Sequence, residues 1–524
     1  MKIIKDFIIM LFNRVRDNRK VLIKHSVILC GIALISFLLN LILSLFLPDS
    51  FLANMQRTVF IFVCGLAVYF IIVFRGNVEK TFLFLVLSIG MLYIFAIPSL
   101  VRVTWDDEQH FYWALEHTVI RNVPIRLVDW RFIGGAPINF HDQSQFFESD
   151  AYRSFLAEMN SEEFNQVIQI NPRSYENLHA RVGHLPAGVM LFVGRNLGLP
   201  ASVVFDMGRL GILLTYAFVV FFAIKRLESG KHIMAVVALF PTVIFQATNY
   251  SADSWVIAFI MLGFAYFFYE VQNPQAKISS KSQIIMLTAF TLGLAPKAIY
   301  FLLMGLLFLM PKSKFDGSKE YKRYIVVLSA LIFILVGSFT IPFIIGGGVE
   351  GDLRGGPDVS PIGQIMFILH NPVRYIGILR RFLSIYLSYG LTPHFTTFFS
   401  ALGFVPNNFL IWVLLGFVII TDKKSQDIYT SNIKYKILLF LICAATVVGY
   451  TTVIYLDFNP VGTTSIDGVQ GRYLLPLLFP MFFVLGSTKI KTEFPKIFYT
   501  RVVYGIMSFV LLRGIWVACV SRYY

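Results

Sequence analysis

Charge is scarce in this chain: Asp, Glu, Lys and Arg together make up 14% of its 524 residues. A single water-soluble core of this size needs more polar surface than that, so a soluble globular enzyme is excluded. Cysteine is scarce too. The four cysteines, Cys30, Cys64, Cys443 and Cys519, fall in or at the ends of apolar runs, which reads as small core residues and excludes a disulfide framework or a thiolate metal site. Internal repeats and low-complexity segments are absent, and no small-residue cleavage site follows the first apolar run, so that run reads as a retained anchor. What remains is apolar: 56% hydrophobic residues and 53 Phe, in runs of about 17 to 22 residues that recur through the chain. The class is a polytopic helical membrane protein.

The formal charge of +15 is explained by distribution, without nucleic acid. Lys2, Lys5, Arg14, Arg16, Arg19, Lys20 and Lys24 place the N-terminus in the cytoplasm, and the clusters around Lys225, Lys312 to Arg323, Lys423 to Lys436 and Lys489 to Lys496 mark later cytoplasmic loops. Threading these loops predicts about 13 spans, near 26–47, 57–75, 81–99, 201–224, 232–248, 253–270, 283–295, 298–311, 324–346, 407–421, 437–456, 473–487 and 502–518. The pair 283–295 and 298–311 is short and broken by Pro296, which predicts a tilted hairpin or broken helix. The stretch 185–199 reads as a juxtamembrane helix.

Five regions follow. Residues 1–100 hold the basic N-terminus and three spans, 101–200 a first extracytoplasmic loop, 201–345 the central spans, 346–406 a second large extracytoplasmic loop, and 407–524 the last spans. In the first loop, 134–137 reads as a turn and Tyr152 to Glu163 as a helix. The second loop is amphipathic from Pro361 to Tyr389.

The densest chemistry is Trp105-Asp106-Asp107-Glu108-Gln109-His110, directly after an apolar run. Carboxylates at a membrane boundary lose hydration, and packing does not require them; they are retained to bind a cation, move a proton or act as a base. On the expected topology the outer basic residues are nearly all Arg, whose planar fork grips phosphate or snorkels to lipid headgroups. Arg472 and Lys297 stand apart, each beside Gly or Pro where the chain enters the membrane. His110 equally suits packing at the interface, Asp253 equally suits a helix N-cap, and Lys297 equally suits snorkelling.

Asp107-Glu108-Gln109-His110-Phe111, His184-Leu185-Pro186, Ser251-Ala252-Asp253 and Gln470-Gly471-Arg472-Tyr473-Leu474-Leu475-Pro476, in that order and on one expected side, resemble the GT-C superfamily of integral-membrane glycosyltransferases. Within it they are similar to a bacterial subfamily of predicted membrane proteins, over roughly residues 80 to 490. Two spans precede the helix at which the usual pattern begins, Asp106 stands where proline is common, and His-Leu-Pro replaces His-Pro-Pro.

The resemblance implies a GT-C-like all-α fold that transfers a sugar, with inversion, from a polyprenyl-phosphate donor such as an undecaprenyl phosphate sugar to an extracytoplasmic glycan or glycolipid of the cell envelope. It implies a base among Asp107, Glu108 and Asp106, donor-phosphate binding by Arg472 and Lys297, and orientation of the acceptor by His110, Asp253, His184 and Gln470. A divalent magnesium or manganese ion on Asp107, Glu108 and Asp253 would suit oxygen ligands, and metal dependence stays open. A polymerase or ligase using diphosphate-linked donors, and a lipid or polysaccharide transporter or flippase, remain the alternatives.

Overall fold

A computed structural model describes residues 19–47, 50–117, 122–134, 146–172, 180–345, 352, 355–356, 358–422, 433–486 and 494–523. The basic residues Lys2 to Arg16, Lys423, Lys424, Lys489 and Lys491, most of the expected 134–137 turn, and Arg121 and Arg173 lie outside them.

Among the described residues, nine helical segments are long and apolar enough to cross a membrane: 23–43, 51–73, 78–96, 201–226, 253–272, 280–309, 318–341, 433–458 and 496–523. Three shorter apolar helices, 361–370, 408–421 and 471–485, accompany them. The expected thirteen spans are therefore regrouped. The expected span 232–248 is two short helices, Lys231–Ala238 and Pro241–Ala247, buried at every residue but Lys231, because Pro241 cannot extend the first and instead starts the second. Residues 280–309 form one helical stretch with non-helical backbone at Lys297. The amide of Ile278 donates to the Lys314 carbonyl at 2.8 Å, so the stretch returns to where it began, with Lys297 at its apex. Leu185–Asn196 is a 12-residue helix, too short to cross, and it packs on Ala201–Arg226.

The all-helical expectation also missed a two-stranded antiparallel sheet, Asn122–Arg126 against Val167–Pro172. Its strands are five and six residues long and carry no long alternating pattern, and their pairing spans a gap of some forty positions that no local signal announces. The expected Tyr152–Glu163 helix is two, Ser149–Met159 and Glu162–Asn165, because Ser161 caps the second through Phe164 N.

Burial identifies the core. In the most apolar window of Asp253–Gln272, 78% is buried, against 11% for Ile23–Leu43, so the first helix is peripheral and Asp253–Gln272 is the central pillar. Both ends of that pillar carry an acid. Glu270 pairs with Arg226 at 2.8 Å and with Lys314 at 2.9 Å, and Asp253 pairs with Arg472 and Lys297 at the other end. Arg209, 1% exposed, donates to the carbonyls of Ile97 and Pro98 and fixes the turn that delivers residues 99–107 to the Asp253 end.

Candidate functional site

The site forms where three distant segments meet the first turn of Asp253–Gln272. Arg472 Nη1 donates to Asp253 Oδ2 at 2.6 Å, and Lys297 Nζ donates to Asp253 Oδ1. Gln246 Nε2 approaches Oδ2 at 3.4 Å. Asp253 is the first helical residue and makes no cap bond; Ser251 Oγ accepts from its amide instead. Its carboxylate therefore faces the two cations, and no side-chain cap bond is made at this helix start. One acid and two cations leave a formal charge of +1.

Apart from Gly471, the aromatic and glycine scaffolding was not legible in the sequence. The Arg472 guanidinium lies over Trp105, 4.4 Å from its ring centroid, and Gln470 Oε1 accepts from Arg472 Nε at 2.6 Å. Lys297 Nζ lies 4.6 Å from the Tyr473 ring centroid, and Tyr300 and Tyr386 hold the carbonyls of Tyr473 and Gln470 at 2.8 Å each. Two glycines permit the assembly. A Cβ at Gly471 would come within 2.8 Å of His394 Cβ, and one at Gly183 within 3.1 Å of Ala252 Cβ and 3.5 Å of Pro296 Cγ. Gly183 thus brings the turn bearing His184 against both the Asp253 and the Lys297 segments. Close approach of this kind is a property of the packed chain, and only the Gly471 instance was foreshadowed by sequence.

The three acids of the opening motif separate. Asp107 is 2% exposed, and its Oδ2 accepts from the amides of Val103 at 2.7 Å and Thr104 at 2.6 Å while Thr104 Oγ1 donates to Oδ1. Burial raises its pKa, and the three hydrogen bonds and Arg209 partly offset that. Asp106 has φ +55°, a left-handed conformation uncommon for a residue with a side chain, is half-buried, and lies within electrostatic reach of Arg472. Glu108 is half-exposed and 3.9 Å from Arg102. Asp107, Glu108 and Asp253 thus face different partners and do not converge as ligands. No group of three or more His, Cys, Asp or Glu among the described residues is placed to hold a metal ion, so this donor set does not fit magnesium or manganese.

His110 and His184 do converge. His110 Nδ1 lies 2.8 Å from His184 Nε2, with the rings 23° from parallel and Trp113 packed edge-on against both. Burial and the charges of Arg472 and Lys297 push His110 down to about 3, opposed by Asp253. His184, 1% exposed, is held well below its usual value, mainly by burial. Both imidazoles are neutral at physiological pH. Other described arginines of the first loop have partners within the fold: Arg181 pairs with Glu116, Arg195 with Asp129 at 2.6 Å, and Arg102 with the carbonyls of Phe132 and Ile133.

The family described as "Predicted membrane protein (DUF2142)" matches residues 87–481, which includes every residue of this site and omits the helices Arg19–Leu43 and Phe51–Val73. No curated protein and no solved structure matches the chain.

Proposed function

We propose that this chain, which belongs to the DUF2142 family of predicted membrane proteins, is a membrane glycosyltransferase of GT-C type that takes a sugar from a polyprenyl-phosphate donor and passes it to an extracytoplasmic envelope glycan or glycolipid. The observation that carries this reading is the Lys297–Asp253–Arg472 cluster, two cations fixed on one carboxylate at the end of a bundle of apolar helices. A lipid whose chains lie among those helices would bring its phosphate to that depth. Guanidinium and ammonium donors fixed by a shared carboxylate need no reorganisation when the leaving phosphate gains charge, which is where electrostatic stabilisation lowers a barrier most. Breaking the anomeric C–O bond puts that charge on the phosphate, and the acceptor oxygen forms the new bond from the opposite face.

The acids divide the remaining work. Asp107 holds the turn, while Asp106 and Glu108, both partly accessible, would hydrogen-bond acceptor hydroxyls. Transport is the less favoured reading, because these ionisable groups sit at the end of the central pillar and not halfway along it.

Comparison of envelope glycans from cells with and without the protein tests the reading directly. Loss of one sugar substituent is the expected result, and unchanged glycans with unchanged lipid-linked sugars would remove it. The sidedness has its own check. A cysteine replacing exposed Ser465, in a Cys30→Ala background, should react with an impermeant reagent in intact cells, and one replacing exposed Gln275 only after permeabilisation.

A further inference from the structure

We propose that His110 takes the proton of the acceptor hydroxyl, through a bare Nε2 fixed by a hydrogen-bond chain that runs from the Arg181 carbonyl through His184. The inference rests on the sugar-transfer reading above and names the group that reading leaves unassigned.

The chain of hydrogen bonds sets the tautomers. A carbonyl oxygen only accepts, and the Arg181 oxygen lies 3.2 Å from His184 Nδ1 and 3.1 Å from His117 Nε2, so both of those nitrogens carry protons. His184 is neutral in its buried setting, which leaves its Nε2 a lone pair. That lone pair faces His110 Nδ1 at 2.8 Å, so His110 Nδ1 must be the donor. The proton of neutral His110 is thereby spent on Nδ1, and Nε2 on the far side of the ring is an unprotonated acceptor. No described residue hydrogen-bonds that nitrogen, and His110 is half-buried, so a hydroxyl can reach it.

The surrounding charges make this base responsive to the donor. Around His110 stand Arg472, Lys297 and Asp253, with Asp106 beside Arg472; behind His184 stand His117 and Arg181, the latter tied to Glu116. In the empty site the two cations repel a proton on His110. A phosphate seated on Lys297 and Arg472 neutralises that repulsion and raises the proton affinity of Nε2. The base is then strongest when the donor is in place. In the step itself the acceptor O–H bond breaks with its proton moving to Nε2, the oxygen bonds to the anomeric carbon, and the electron pair of the C–O bond leaves on the lipid phosphate. The imidazolium then lies next to the new phosphate charge and returns its proton to solvent.

The test uses the full chain in nanodiscs with nitrogen-15 histidine, assigned by His110→Gln, whose amide can still donate to His184. The expected spectrum at neutral pH shows His110 protonated on Nδ1 alone, and added polyprenyl phosphate should raise its pKa by about one unit or more. In parallel, polyprenyl-phosphate-linked glucose, mannose and galactose are offered with envelope glycan extract, and release of polyprenyl phosphate is followed. His110→Gln should lower kcat by about a hundredfold while leaving donor Kd nearly unchanged. His184→Gln, which can accept from His110 and donate to Arg181, should keep most of the turnover and the tautomer, whereas His184→Leu should lose both. A proton on His110 Nε2 at neutral pH, or His110→Gln turnover within about threefold of wild type, overturns the proposal. If wild type itself releases no polyprenyl phosphate from any donor, the sugar-transfer reading fails and the proton role falls with it, an outcome recognisable because the parent protein is silent.

Discussion

The two ends of helix Asp253–Gln272 carry the same electrostatic device: an acid that holds one arginine and one lysine. At Glu270 the device is tied to neighbouring structural groups. Lys314 is 0% exposed and also donates to the Asn273 carbonyl at 2.8 Å, while Arg226 stacks on Tyr269 with 3.4 Å to the ring centroid and bonds Ser282. At Asp253 the lysine is 27% exposed, sits on a broken backbone, and shares its surroundings with a neutral histidine pair. A buried ion pair by itself therefore says little about function; exposure does not separate the two ends, since Arg226 is 24% and Lys297 27% exposed, and the difference lies in the broken backbone at Lys297 and a neighbouring group with an unspent lone pair.

The largest expected effect tests the Asp253 end. Arg472→Ala should lower sugar transfer by about a hundred- to a thousandfold, the range for losing one fixed donor to a developing oxyanion, and Arg472→Lys should recover only part because an ammonium lacks the bidentate fork. Comparable turnover in wild type and Arg472→Ala at saturating donor would erase the distinction between the ends.

The Glu270 end should answer in stability and not in chemistry. Glu270→Gln leaves Lys314 buried without its counter-ion and should cost about 3 kcal/mol of stability, read as a lowered melting temperature in detergent, with turnover per folded molecule unchanged. Equal loss of turnover at equal folded fraction would mean that both ends serve catalysis.

A smaller effect is expected at Asp107. Its asparagine variant can still accept from the Val103 and Thr104 amides through one oxygen and donate to Thr104 Oγ1, so Asp107→Asn should transfer sugar within about tenfold of wild type. Asp107→Ala removes those acceptors and should cost about 1 kcal/mol of stability, as for a lost helix-end acceptor. A loss well beyond a hundredfold in Asp107→Asn, with folding intact, would return the base role to this carboxylate.

The last effect is in the pH dependence of stability. His110 has a folded pKa of about 3 against an ordinary 6.5, so between those values the unfolded chain binds more protons than the folded one. Its contribution is fully present above about 6.5 and is lost as pH falls towards 3. The melting temperature should fall on acidification through that window, and His110→Gln should flatten the slope. A slope unchanged by the substitution would show that His110 does not stay neutral in the fold.

The sequence by itself determined the class and most of the cast. Length and frequency of apolar runs require helices that satisfy their own backbone in lipid, and that requirement is local, so it is legible without contacts. Asp253, Lys297, Arg472 and His110 could be nominated because polar groups beside apolar runs are conspicuous against so little other charge, whereas Gln470 and His184 entered only through the family resemblance. Their relations were not legible. Asp253 and Arg472 are 219 positions apart, His110 and His184 are 74 apart, and nothing in either neighbourhood specifies that one carboxylate faces two cations or that one imidazole donates to another. Only the tertiary structure decided that Asp107 turns inward to the Val103 and Thr104 amides, that the Asp107, Glu108 and Asp253 carboxylates part company, and that Trp105 and the glycines at 183 and 471 bring the segments together. The reason is physical: hydration cost is a property of each residue and its neighbours along the chain, whereas pairing, tautomer and access are set by which distant surfaces the packed helices press together.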